Sequence, residues 1–306
     1  MKSYPFFALC FMLIVVGVLS CGRLWMYTPT VMAQVKTPAK QNPPTSITTC
    51  GTVITTPGTY TVRAGPCDGN GVVINSSDVT IEDFGLDTGC IGGCGPTQTG
   101  ILVFDPAGGP ITNVRLLSGS VEDFTIAVSF AGVQESQVTG VFMGNFSTTC
   151  LLLNADTDGD PSQDDVFTSN TLTACSGADI AGNSINNSTF IGSQCYGTNA
   201  GDTLGVGIQI LSGNGNTLTG NTCSGLAVGI ELGGTGSTGA TGNLLIGNTT
   251  TSNATGILVA SPANGNTFRE NYSINQVLDM DDENAKCGTD IWRRDVFYSA
   301  SQSCIH

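Results

Sequence analysis

The chain has 306 residues, 40% apolar and 11% charged, with a formal net charge of −14. That apolar content excludes wholesale disorder. With ten basic residues against 24 acidic ones, the chain lacks the dense Lys and Arg that phosphate backbones require, so nucleic acid is excluded as a partner. Forty-one glycines and few strong helix formers disfavour long helices and favour short strands joined by tight turns.

In chain order, Lys2 precedes an uncharged run from Ser3 to Gly22, which reads as an export signal. Three processing routes fit it. Val31, Met32 and Ala33 before Gln34 suit cleavage of residues 1–33. Val18, Leu19, Ser20 and Cys21 are similar to a lipoprotein box, with a signal ending at residue 20 and Cys21 acylated. The third route is an uncleaved anchor, because the run approaches the ~20 residues that span a bilayer. All three place the remainder in the cell envelope or outside the cell. Any membrane contact is expected only through a lipid on Cys21 or through an uncleaved signal. Residues 34–47 form a Pro-rich, basic-leaning linker.

Ten cysteines follow residue 33. An even number behind an export signal points to disulfides. The first pairings to expect are Cys50 with Cys67, Cys90 with Cys94, and Cys287 with Cys304. Cys150, Cys175, Cys195 and Cys223 allow three further connectivities, or serve as buried thiols acting as small apolar residues.

From residue 48 to about 286 two phrases recur. One starts at Gly100, Gly207, Gly229 and Gly256 and runs glycine, apolar, any, apolar. The other pairs Asn216 with Asn221, Asn243 with Asn248 and Asn266 with Asn271 around a hydrophobe. Successive copies of the first phrase lie 22 (229 − 207) and 27 (256 − 229) residues apart. A period in the twenties with short alternating strands is the pattern of a solenoid. The expectation is an all-β, single-domain solenoid of about eight to ten coils. Ile and Leu stack inward at the ~4.8 Å strand spacing, Asn residues ladder at the turns, and Gly supplies left-handed corners.

These residues carry a resemblance. The opening Cys50 to Ile54 with Pro57 to Val62, then Val79 to Ile81, then the Gly-Asn-Thr repeats and the ending Trp292, Phe297 and Cys304 resemble the right-handed parallel β-helix repeat proteins of the pectin-lyase-like superfold. The resemblance spans residues 48–304. It implies a right-handed parallel β-helix over 48–286 with a disulfide-stapled cap over 287–306. It does not imply an activity, because the superfold hosts lyases, hydrolases, epimerases and non-catalytic proteins.

Candidate chemistry is sparse. The single histidine is the terminal His306, which argues against Ser-His-Asp catalysis and histidine-based metal sites. Asn154, Asp156, Asp158, Asp160, Ser162 and Asp165 place oxygens at positions 1, 3, 5, 7, 9 and 12 of a loop with Gly159 at position 6. That spacing is similar to a calcium loop and predicts a structural Ca2+ site; a solvated acidic loop predicts the same residues. A second acidic run, Asp279 to Asn284, has irregular spacing. The hydrolases of the superfold carry Gly-His-Gly and Arg-x-Lys motifs and its epimerases carry a histidine; neither pattern occurs internally here. Calcium-dependent lyases need an Arg or Lys as base, for which Arg115 is the candidate, with salt bridging as its structural alternative. On one outer face Gln209, Glu231 and Leu258 should align, with Asp179 one coil earlier. Asp179 and Glu231 would then be two coils and ~10 Å apart, near the upper limit for an inverting glycosidase pair.

The sequence therefore points to an exported, non-catalytic β-helix that binds a polysaccharide or cell-surface glycan or serves surface structure. Its alternative is a calcium-dependent lyase of uronate polymers.

Overall fold

Each repeat closes one turn of a right-handed parallel β-helix. The computed structural model describes residues 43–89, 98–145, 148–197, 205–235 and 238–306. The export signal, Cys21, most of the linker and the Cys90–Cys94 pairing lie outside the described residues. The sequence pattern runs the linker to residue 47. Instead Thr45–Ile47 is a strand that pairs in parallel with Tyr60 to Val62 and so belongs to the first coil.

One sheet runs through ten parallel strands, from Thr52–Ile54 to Leu278–Asp282. Its register stacks Val72, Ile101, Val128, Leu151, Ile180, Ile208, Ile230, Ile257 and Met280 in one column. All nine are fully buried, each contributing about 1.5–3 kcal/mol relative to exposure. A second sheet begins as long strands such as Val79–Asp87, Arg115–Glu122 and Gln137–Gly144. Beyond them each coil carries two short strands, as in Thr217–Thr219 and Thr222–Ser224. Its inward column runs Leu116, Val138, Phe167, Phe190, Leu218, Leu245, Phe268 and Trp292. Phe268 and Trp292 stack with ring centroids 3.8 Å apart. A third sheet has four two-residue strands, from Ile111–Thr112 to Ile185–Asn186.

The corners explain the Gly-Asn phrase. Gly215, Gly220, Gly242, Gly247 and Gly265 have φ between +60° and +74°, a left-handed backbone that glycine adopts at no steric cost. The residue after each is a ladder asparagine. The backbone N–H of Asn216 donates to Asn243 Oδ1, Asn243 donates to Asn266, and Asn266 donates to Asp290. A parallel column runs from Ser193 through Asn221, Asn248 and Asn271 to Asp295. Upstream, the first column continues through Ser188, Asp165 and Ser136. There the left-handed position is filled by Asp164 and Asn187.

The glycine of the other phrase has a different reason. Gly207, Gly229 and Gly256 are not left-handed. A Cβ on Gly207 would lie 2.7 Å from Cys223 Sγ, and one on Gly229 would lie 2.7 Å from Thr250 Cγ2. These glycines leave room for side chains from the second sheet inside the coil. Gly225, by contrast, is a true left-handed corner with φ +73°.

The disulfides Cys50–Cys67 and Cys287–Cys304 form as expected, and Cys150 pairs with Cys175. Cys195 and Cys223 are free and buried. The stapled C-terminal segment is more than a cap, because its strand Ile291–Arg293 adds a further rung to the second sheet.

Candidate functional site

Three places could carry chemistry: the outer face of the second sheet, the outer column of the first, and an interior corner. On the second sheet, alternation turns the first and third residues of each short strand outward. One coil presents Thr217, Thr219, Thr222 and Ser224, and the next presents Thr249 and Thr251 on the matching strand. Tyr196 lies one coil before Ser224, and Tyr272 one coil after Thr249. Tyr272 is 42% exposed, and the Tyr196 hydroxyl donates to Gln194 Oε1 at 3.1 Å. Two tyrosines thus bracket a flat patch of hydroxyls on a rigid sheet, roughly three coil spacings or ~14 Å apart along the stack.

On the first sheet the outer column is Leu152, Ala181, Gln209, Glu231, Leu258 and Asp281. Gln209 Nε2 donates to Glu231 Oε2 at 2.8 Å. The expected partner is absent from this column: Ala181, not Asp179, precedes Gln209 in register. Asp179 shares the position of Gly207 and Gly229, whose absent Cβ atoms point into the core, so its side chain is buried inside the coil. Strict alternation fails at this corner because two consecutive residues face inward. Asp179 and Glu231 therefore lie on opposite sides of a strand and cannot act as a carboxylate pair on one substrate. Arg115 lies on the second sheet, exposed, with its Nε donating to Asn113 Oδ1. The three catalytic candidates are not brought together. Arg63 pairs with Asp83 and Arg269 with Glu270.

The acidic loop is also dispersed. Asp156 Oδ1 accepts from the N–H groups of Asp158 and Asp160, holding a tight turn. Ser162 is buried, donates to the Asn154 carbonyl and accepts from the Val133 N–H. Asp165 is buried in the ladder, where Oδ1 accepts the Ser136 N–H at 2.8 Å and Oδ2 has no partner. Burial pushes the Asp165 carboxyl up to about 8, against the Ser136 amide, with the nearby Asp164 charge adding to the rise. Two of the six expected calcium ligands, Ser162 and Asp165, are thus committed to the solenoid, because the ladder column runs through the loop's second half. The run Asp279 to Asn284 is structural as well: Asp279 Oδ2 accepts from the N–H groups of Tyr298 and Ser299, and Asp282 Oδ2 accepts from Trp292 Nε1.

The interior corner was not legible from sequence as a site. Sγ atoms of Cys150 and Cys175 and a carboxylate oxygen of Asp179 all lie within 4.8 Å of one another, and all three residues are buried. Both Asp179 oxygens lack a hydrogen-bond partner. Burial pushes its carboxyl well above the usual carboxylate range. Cys195 and Cys223 occupy paired positions on adjacent strands of the second sheet, both fully buried. The Cys195 thiol interacts with the Cys223 thiol and with Asp179, and these neighbours and burial hold it well above its ordinary range. Cys150, Cys175 and Asp179 therefore share one dry corner, with the Cys195 and Cys223 thiols on the second sheet beside it.

A solenoid of this size and register invites comparison with known families. The sequence profile of the family described as "Periplasmic copper-binding protein (NosD)" matches residues 120–300. The chain belongs to that family. The family's periplasmic description agrees with the export expected from the sequence, and among the described residues no helix is long and apolar enough to cross a membrane. No curated protein matches the chain in sequence. Among solved structures, the NosD-family solenoid is similar to the GH136 lacto-N-biosidase from Eubacterium ramulus at 11% identity and TM-score 0.59, covering 84% of this chain and 58% of that one. It is also similar to the A-module of the Azotobacter vinelandii mannuronan C-5 epimerase AlgE6, at 13% identity and TM-score 0.55, covering 83% and 79%. The enzymatically active domain of tailspike protein 2 from bacteriophage CBA120 gives 15% identity and TM-score 0.53, covering 79% and 38%. At these identities the likeness is one of fold, and the chain spans little more than half of the biosidase.

The family's name implies copper, and the donor set can be tested against it. Histidine is ruled out, since His306 Nδ1 lies against the Cys304 carbonyl at the exposed end of the chain. Thiolate sulfur is the soft donor that copper(I) selects, and Cys195 and Cys223 provide two free thiols beside an orphaned carboxyl. The interior corner fits a soft cation; the acidic loop, with oxygens alone, does not.

Proposed function

We propose that the protein is an exported, non-catalytic carbohydrate-binding β-helix whose binding face is the hydroxyl patch bracketed by Tyr196 and Tyr272. That patch is the observation that carries the reading. Tyrosine faces offer apolar surface against which sugar rings lie, while Thr and Ser hydroxyls both donate and accept toward sugar hydroxyls. The underlying sheet is held by a packed core and two amide ladders, so the groups are ordered before a ligand arrives. Support for a non-catalytic role comes from the separation of Arg115, Asp179 and Glu231 onto an outer face, the core and another outer face. Support for a saccharide as ligand comes from the fold, which is shared with a lacto-N-biosidase and with a phage tailspike solved with a pentasaccharide at TM-score 0.51.

The test is a glycan array followed by affinity measurement on the full chain. A Tyr196→Ala, Tyr272→Ala double variant is expected to lose at least about tenfold in affinity, on the order of the 1.4 kcal/mol that tenfold represents. Glu231→Gln is expected to leave affinity unchanged. An array without any bound glycan, or binding indifferent to the tyrosines, would remove this reading. A sustained rise in unsaturated-uronate absorbance on pectate or alginate with calcium, abolished by Arg115→Ala, would replace it with polysaccharide lyase activity.

A further inference from the structure

We propose that the glycan bound at the tyrosine-bracketed face carries a phosphate monoester, held by Arg269, Arg293 and Arg294 at the C-terminal end of that face. The inference rests on the carbohydrate reading above and names the chemical class of its ligand.

In a chain of net charge −14, the last two rungs of the second sheet are locally basic. Arg269 and Arg293 occupy the same outward position on neighbouring strands, about 4.8 Å apart along the stack. Like charges placed directly opposite each other weaken a sheet. Packing does not require the pair, because the two coils below carry Thr219 and Ile246 in the same column. Arg294 follows at a left-handed corner, with φ 57°. One outward acid serves the cluster. Glu270 Oε1 accepts from Arg269 Nε and Nη2 at 3.1 Å and lies 3.7 Å from Arg294 Nη1. Arg293 has no ion pair among the described residues. The aspartates on either side of the last strand are committed to the ladders. Asp290 accepts from Asn266 and Asn284 through its two oxygens, and Asp295 accepts from Asn271 and from the Arg293 backbone N–H. Three guanidiniums against one outward carboxylate leave a local excess of two positive charges (3 − 1).

This excess lies beside apolar surface. Tyr272 opens the strand that follows Arg269 and Glu270. Val296, paired with Tyr272 one coil on, is 49% exposed, and Tyr298 is 81% exposed. Exposed tyrosine next to arginine matches a ligand with a ring face and a negative substituent. A phosphate monoester fits the charge and the donor count, since it carries about −1.5 to −2 charge at pH 7 and three acceptor oxygens. A carboxylate offers two oxygens and a single charge, which one arginine fork already satisfies. The acidity of the rest of the chain repels anions, so this corner is where one can settle.

The experiment probes the full chain on an array that presents each glycan in phosphorylated, phosphatase-treated, sulfated and carboxylated forms. Phosphorylated members are expected to bind at least about tenfold tighter than their phosphatase-treated partners, the difference that one charge-assisted hydrogen bond makes. Arg293→Gln combined with Arg294→Gln is expected to abolish that difference. The melting midpoint of this variant is expected to hold or rise, because like charges are removed. Arg63→Gln, near the other end of the stack, is expected to leave the preference intact, which separates the corner from overall charge. Glycans bound through the tyrosines without preference for phosphate would overturn this inference and leave the carbohydrate reading standing; an array with no bound glycan would remove both. An equal or greater preference for the carboxylated or sulfated forms would overturn the phosphate assignment. Binding to phosphatidylglycerol vesicles that falls with the two arginine substitutions, without phosphate preference on the array, would reassign the corner to lipid headgroups and overturn the glycan.

Discussion

Asp165 offers the sharpest test of the ladder. Its folded carboxyl titrates at about 8 against the ordinary 3.8, so the folded chain holds a proton that the unfolded chain releases. Stability from this group is therefore fully present below about pH 4 and declines as pH rises towards 8. Each pKa unit corresponds to about 1.36 kcal/mol. The interval from 3.8 to pH 5 then costs roughly 1.6 kcal/mol, and the interval to pH 7 on the order of 4 kcal/mol. Asp165→Asn removes the titration. It also adds an amide that can donate to a carbonyl of the preceding coil, as Asn170 does to Val138 and Asn216 does to Ile185. Urea unfolding of both proteins at pH 5 and pH 7 should show the variant more stable, with its advantage growing by about 3 kcal/mol between the two. An advantage independent of pH, or a variant less stable at pH 7, refutes the reasoning. The same experiment addresses calcium: were Asp165 an ion ligand, the substitution would cost stability, and a chelator would erase the difference.

Asn243→Ala deletes the acceptor for both the backbone and the side-chain N–H of Asn216, and leaves Asn266 Oδ1 with only the backbone N–H of residue 243 as donor. A loss of about 3–5 kcal/mol is expected from two or more orphaned buried groups, read from the denaturant midpoint. Gly229→Ala should cost about 1–3 kcal/mol through overpacking against Thr250 and Asn253. Ser169→Gly relieves a left-handed φ of 53° and should raise stability by about 1 kcal/mol, visible as a higher melting midpoint. Trp292→Ala, which strips the last aromatic from the stacked column, should cost about 3–5 kcal/mol in the same assay.

The ladder asparagines from 216 to 271, the inward Ile and Leu, and two of the disulfides were legible in the sequence, because each recurs with a fixed neighbour. Ser136, Asp165 and Ser188 were not, because they fill ladder positions with different chemistry in coils up to 29 residues long. Asp165 was drawn into a calcium pattern by spacing alone. Asp179 was misplaced for a geometric reason. Two-residue alternation predicts the face of a strand's middle, but the corner position before Ile180, Ile208 and Ile230 turns inward, and in most coils a glycine conceals it. The sulfur corner needed three dimensions, since its members come from three successive coils.

The two ladders also bear on how the stack ends. An amide both donates and accepts, so a column of asparagines has no intrinsic last member; a second molecule could in principle dock its own first coil on the exposed edge and extend the fibre. Here both columns finish in carboxylates, Asp290 and Asp295. The N–H of Asp290 turns back to the Cys287 carbonyl, within the segment held by the Cys287–Cys304 disulfide. Charge and a covalent staple at the last rung disfavour pairing of a further strand on this edge. The same two aspartates complete the hydrogen bonding of one chain and place carboxylates on the edge that a second chain would have to cover.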